Sequence, residues 1–108
     1  RIQIYDNDRL LVSFGEKGKE SSQFNYPKGI AVDKHGNIYV ADSWNHRIQK
    51  FDPLGNHLQT FGSYGEGKGD LNEPYDIMVE DCGNILVVER YNHRLQARFV
   101  HFHGSDRV

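Results

Sequence analysis

Two triplets, Asn45-His46-Arg47 and Asn92-His93-Arg94, hold the side chains best suited to chemistry. Each sets an imidazole, which titrates near neutral pH, between an amide and a guanidinium. They stand 47 residues apart. An active site requires one constellation, whereas a fold element is needed in every unit of a repeated structure. The triplets therefore read as structural, with Asn45 in a left-handed turn position and Arg47 paired with Asp42 across a loop. The recurrence also argues against His46 and His93 as metal ligands, since they lack His-x-x-x-His spacing. His101 and His103 alternate along one strand and read as a wet strand edge. Cys82 has no histidine or basic pair beside it to activate a thiolate. No Ser/His/Asp arrangement stands out. Neither catalytic residues, a metal nor a cofactor is expected.

The triplets sit inside a longer repeat. Phe14-Gly15 recurs as Phe61-Gly62, Pro27 as Pro74, Ile30 and Val32 as Ile77 and Val79, and Gly36-Asn37-Ile38 as Gly83-Asn84-Ile85, all at the same offset of 47. Arg1-Ile2-Gln3 matches Arg47-Ile48-Gln49 at an offset of 46, so the turn after Asp6 is one residue shorter. The expected organisation is residues 1–13 as the tail of a preceding unit, 14–60 as one repeat, and 61–108 as a second with a divergent C-terminal end. Asp76 replaces Gly29, Glu89 replaces Asp42, and Arg98 stands where Phe51 predicts an aromatic.

Within a repeat, short apolar runs alternate between turn signals. Strands are expected at 29–33, 37–41, 47–51 and 57–61, with a tight turn at His35-Gly36-Asn37 and another at Pro53-Leu54-Gly55-Asn56. The glycine-rich stretch 62–70 links the units. Ile48 and Phe51, like Leu58 and Phe61, are three apart, which predicts burial on both sheet faces. No 3.6-residue periodicity is present, so helix should be nearly absent. Four short antiparallel strands at a period in the forties indicate a β-propeller blade. The fold class is all-β: a propeller fragment of about two four-stranded blades plus the outer part of a preceding one. Such a fragment does not close a ring, and Ile30, Val32, Ile38 and Val40 are expected to face water.

The runs Pro27-Lys28-Gly29-Ile30-Ala31-Val32-Asp33, Gly36-Asn37-Ile38-Tyr39-Val40-Ala41-Asp42 and Asn45-His46-Arg47-Ile48-Gln49 resemble the NHL repeat. Phe14-Gly15-Glu16-Lys17-Gly18 followed by Gln23-Phe24-Asn25-Tyr26-Pro27 resembles the C-terminal propellers of tripartite-motif (TRIM–NHL) proteins. The resemblance implies recognition by loops at one end of the ring: the loop before the first strand of a blade and the loop between the second and third. Those loops supply Lys28 and Tyr75, Ser43 and Trp44, and Arg90 and Tyr91. These residues differ between copies where the scaffold repeats. Arginine, lysine and exposed aromatics contact phosphates and stack on unpaired bases, and equally anchor protein interfaces. Trp44 and Tyr91 read equally as cover for the blade edge.

Composition narrows the partners. Thirteen basic and fifteen acidic residues give a net charge of −2, with none of the strong basic bias of many nucleic-acid binders. No run of about 18 apolar residues and no charged-then-apolar leader is visible, so neither a membrane span nor a signal peptide is expected. The single cysteine excludes a disulfide or a zinc finger built within these residues. The expectation is a cytoplasmic, non-catalytic module that binds single-stranded or structured RNA or a protein partner and joins the remaining blades of a longer propeller. Family resemblance implies a parent E3 ubiquitin ligase acting through a RING outside this segment, or a post-transcriptional regulator. The alternatives are a metal-dependent peptidyl-hydroxyglycine lyase and a structural or sensor propeller.

Overall fold

The chain reverses where the sequence writes Asp-x-x-Gly-Asn. The computed structural model describes residues 1–62, 71–80, 84–91 and 94–101, with Asp6 and 91–101 described by backbone alone. The Asp33 carboxylate accepts from the backbone N–H groups of His35 and Asn37 and from the Asn37 amide. Asp52 accepts in the same way from Leu54 and Asn56. Gly36 and Gly55 take φ of 86° and 88° in these turns, a region that penalises a Cβ. The turn expected at His35-Gly36-Asn37 thus spans Asp33 to Asn37, because the aspartate caps it. Glu80 N donates to Asn84 O at 2.9 Å, as Asp33 N does to Asn37 O and Asp52 N to Asn56 O. Cys82 lies outside the described residues, as do 63–70 of the glycine-rich link.

Between these turns run short strands. β1 (Ile2–Asp6) and β2 (Arg9–Phe14) form a hairpin, and β3 (Glu16–Lys17) pairs in parallel with β4 (Gln23–Phe24). β5 (Pro27–Val32), β6 (Ile38–Asp42), β7 (Arg47–Phe51) and β8 (His57–Phe61) make one antiparallel sheet in chain order. β9 (Pro74–Val79), β10 (Asn84–Tyr91) and β11 (Arg94–His101) make a second. A 3₁₀ turn at Ser43–Asn45 is the helical content among the described residues. The β1–β2 hairpin repeats the register of β7–β8: Ile2 faces Phe14 as Ile48 faces Phe61, and a bulge falls at the same step.

The sheets stack face to face, which explains why β6 is buried along its whole length. Ile38, Val40 and Phe51 pack with Phe24 against Ile2, Ile4 and Phe14 of the preceding hairpin. Tyr39, Ala41 and Ile48 face the other way, onto Ile77, Ile85 and Val87 of the next sheet and Leu71 ahead of it. Ile48 and Phe51 therefore serve opposite faces, but Leu58 on the outer strand is 50% exposed. The expected exposure of four blade residues divides in two. Ile30 and Val32 are exposed, whereas Ile38 and Val40 are buried by β1–β2. Inner strands β5 and β9 run so close that a Cβ on Gly29 would lie 2.8 Å from Asp76 Cα. This is the stacking of an all-β propeller.

The second sheet departs in register. Asp42 faces Arg47 in the first sheet, but Glu89 faces Gln96 in the second, and Arg94 faces Tyr91. β10 runs on through Arg90 and Tyr91, where the first copy leaves the sheet for its 3₁₀ turn. β11 pairs continuously as far as His101, which gives the divergent segment a partner up to that point. Asn92, His93 and His103 lie outside the described residues, and the side chains of Arg94, Arg98 and His101 are not described.

Candidate functional site

At one end of the first sheet, where β5 begins and β6 ends, a buried carboxylate organises the backbone. Asp42 is fully buried at the end of β6. Its Oδ1 accepts from Asn25 N at 2.7 Å, and its Oδ2 accepts from Asn45 Nδ2, Arg47 Nε and Gln49 Nε2 at 3.0, 2.7 and 3.2 Å. Four donors compensate for the loss of water around a buried anion. The same donors hold the segment that enters the blade. Asn45 Nδ2 reaches Gly18 O, Arg47 Nη2 reaches Glu20 O and Gln23 O, and Gln49 binds both Gln23 O and Ser22 N. Gln49, itself buried, adds three bonds to the five made by Asn45 and Arg47.

His46 points elsewhere. It, not Asn45, takes the left-handed conformation, with φ of 56°. That reverses the side chain relative to its neighbours. Its Nδ1 accepts from Glu73 N at 3.0 Å, just ahead of β9 in the next sheet. Burial holds its pKa below the ordinary imidazole value, against the opposing pull of the Glu73 and Asp42 carboxylates. In the second copy Glu89, also fully buried, accepts from Asn72 N at 2.9 Å, the counterpart of the Asn25 bond.

On this frame stands an exposed aromatic and cationic surface. Trp44 N donates to Asn25 O, which brings the Trp44 ring beside that of Tyr26, with centroids 4.1 Å apart at 51°. Both rings are more than half exposed. Tyr26 holds a positive φ of 53° directly before Pro27, and Glu73 holds 42° before Pro74. Lys28 and Tyr75 lie on strands rather than in loops. Each is the extra residue of a β-bulge, skipped by the partner strand, and a bulge re-aims a side chain. Lys28 Nζ lies 5.6 Å from the centroids of both Tyr26 and Tyr75, so it bridges the two sheets. Arg90 is exposed on β10, and its N–H donates to Glu73 O. Ser43 is buried and offers nothing to this face. Tyr91 ends β10.

The residues expected to bind thus divide. Lys28, Trp44 and Tyr75 gather through Tyr26, which residue type at a diverging position could have flagged but repeat comparison alone did not. A cleft of about 330 Å³, lined in part by Arg1, Lys17 and Phe24, opens beside Tyr26. Among the described residues, no three His, Cys, Asp or Glu side chains are placed to hold a metal. No helix among them is long and apolar enough to cross a membrane.

Residues 24–51, which carry the first three strands of the first sheet, match the NHL repeat family. The sequence is 40% identical over 55 residues to Protein wech of Drosophila melanogaster, covering 51% of this chain and 7% of that protein. It is 46% identical over 46 residues to E3 ubiquitin-protein ligase TRIM71 of Rattus norvegicus, covering 43% of this chain and 5% of that protein. Over 52 residues it is 44% identical to the probable peptidyl-alpha-hydroxyglycine alpha-amidating lyase pgal-1 of Caenorhabditis elegans, covering 44% of this chain and 15% of that protein. The chain therefore resembles the propellers of TRIM–NHL proteins and corresponds to a small part of the curated relatives it matches.

Proposed function

We propose that the surface formed by Tyr26, Lys28, Trp44, Tyr75 and Arg90 recognises single-stranded RNA. The observation that carries this reading is the paired, exposed Tyr26 and Trp44 rings with the Lys28 ammonium set between the tyrosines of two sheets. Aromatic faces stack on unpaired bases without regard to sequence, and nearby cations hold the phosphates. The overall charge of −2 makes a local cationic site more important, since no general field gathers the ligand. On this reading the chain is the target-selecting part of a longer cytoplasmic protein, either a TRIM-type E3 ubiquitin ligase or a post-transcriptional regulator, and performs no chemistry of its own.

A protein partner anchored on the same aromatics is the second reading, favoured by the similarity to a ubiquitin ligase. The lyase reading rests on one similarity, and the described residues offer it no donor set. The test is a salt series of affinities for a fluorescently labelled, unstructured RNA. Trp44→Ala or Tyr26→Ala should cost about 1–3 kcal/mol, the scale of one base stack. Arg90→Ala should weaken binding across sequences and reduce the salt slope by about one unit. Folded variants that all bind as the parent does would overturn the RNA reading and favour the protein partner.

A further inference from the structure

The chain has to keep two separately built halves of one surface in register. Trp44 and Tyr26 belong to the first sheet; Tyr75 and Arg90 belong to the second. A hydrogen bond crosses between the turn that carries Trp44 and the segment that leads into the Tyr75 strand. It runs from Glu73 N to His46 Nδ1 and joins residues 27 apart in sequence. Both of its ends are conformationally committed. His46 and Glu73 each hold a positive φ, and a residue other than glycine stays there only when its surroundings fix it. His46 is two residues from Trp44. Glu73 is two residues from Tyr75, and its carbonyl accepts from Arg90 N.

We infer that His46 is a positioning residue, a pH-sensitive staple whose neutral imidazole aligns the Trp44 turn with the Tyr75–Arg90 strands across the seam. The inference rests on the recognition reading above, whose surface it regulates. A neutral ring bearing its proton on Nε2 presents a lone pair at Nδ1 to the Glu73 N–H. A protonated ring has a hydrogen on both nitrogens and no acceptor, so the two N–H groups face each other and the bond is lost. Among the described residues, the charged and titratable groups on the elements packed around this turn are Asp42 on β6, Arg47 on β7, Lys28 on β5, Tyr75 and Asp76 on β9, Glu89 and Arg90 on β10, and Glu73 ahead of β9. Asp42 and Glu73 favour the charged ring, while burial opposes it and prevails. The staple is therefore closed at neutral pH and opens below the ordinary histidine value.

The chain contains one tryptophan, so Trp44 fluorescence reports the turn directly. Nitrogen-15 NMR of the chain should show His46 in the Nε2–H tautomer, titrating below the ordinary histidine value. The Glu73 amide proton and Trp44 fluorescence should shift with the same midpoint. His46→Asn offers a non-titrating carbonyl acceptor in a residue that tolerates a left-handed backbone, and should abolish that midpoint in both signals. Affinity for the labelled RNA should fall several-fold as pH drops through the midpoint in the parent and stay level in His46→Asn. A Glu73 amide that ignores the His46 titration, or a Trp44 signal that shifts alike in His46→Asn, overturns the staple. Matching midpoints without RNA binding at any pH uphold the staple and overturn the RNA reading instead.

Discussion

Ile30 and Ile77 are the same residue at the same place in two successive copies, yet Ile30 is 50% exposed and Ile77 is 7% exposed. Their local sequence and strand are alike. What differs is the neighbour each one meets among the described residues: Ile77 stacks on the β5–β8 sheet, whereas the β5 sheet packs on the two strands of the β1–β2 hairpin. Val32 and Val79 divide the same way, exposed in the first copy and half-buried in the second. Burial in this architecture is thus lent by the adjacent blade rather than owned by the strand. Quasi-one-dimensional stability of that kind is expected of stacked repeats.

The largest expected effect tests whether the first blade owns anything by itself. Asp42→Ala should destabilise the chain by about 3–5 kcal/mol, because it leaves the Arg47 guanidinium and the Asn25 N–H without their buried acceptor. Urea unfolding measures it. A loss below about 1 kcal/mol would mean that the network closes over water. The pair of isoleucines comes next. Ile77→Ala should cost about 2–5 kcal/mol and Ile30→Ala about 1 kcal/mol. Equal losses in the same melt would break the comparison.

A smaller effect probes the seam itself. Gly29→Ala should cost about 1–3 kcal/mol, since its Cβ meets the Asp76 backbone, which has no flexible end to yield. Asp76→Gly, in the copy that departs from the pattern, should not mirror it. The smallest effect is acid loss from the capped turn. Burial alone would raise the Asp33 carboxyl, but hydrogen bonds from Asn37, Tyr39 and His35 hold it below the ordinary value. Its contribution is complete above the unfolded aspartate value near pH 4 and is lost as pH falls through the lower folded one. Asp33→Asn should flatten that part of the stability curve, read by thermal melts between neutral and acid pH.

The sequence disclosed what repetition exposes. The 47-residue period located β5 to β9 within one or two residues, because every blade needs the same strands, turns and apolar faces, and missed the three-residue extension of β10. It also pointed to Arg47 and Asp42, which pair at 2.7 Å. Features set by context were not legible. That His46 rather than Asn45 takes the left-handed position follows from the bond to Glu73, a residue of the next unit. The β-bulges that lift Lys28 and Tyr75 out of register leave no mark in composition. The two-residue difference in pairing between β6–β7 and β10–β11 is equally silent, since a shift of two keeps every side chain on its own face.

The network around Asp42 also has a mechanical meaning. Tension on the chain reaches the first blade through the segment 18–25, which is bound by Asn45, Arg47, Gln49 and Asp42 at five of its residues. A pull that would peel the entering segment away from the sheet must load those bonds together rather than one after another. The same clamp fixes the length of that segment from outside it, whereas the aspartate-capped turns are tied by bonds among their own residues.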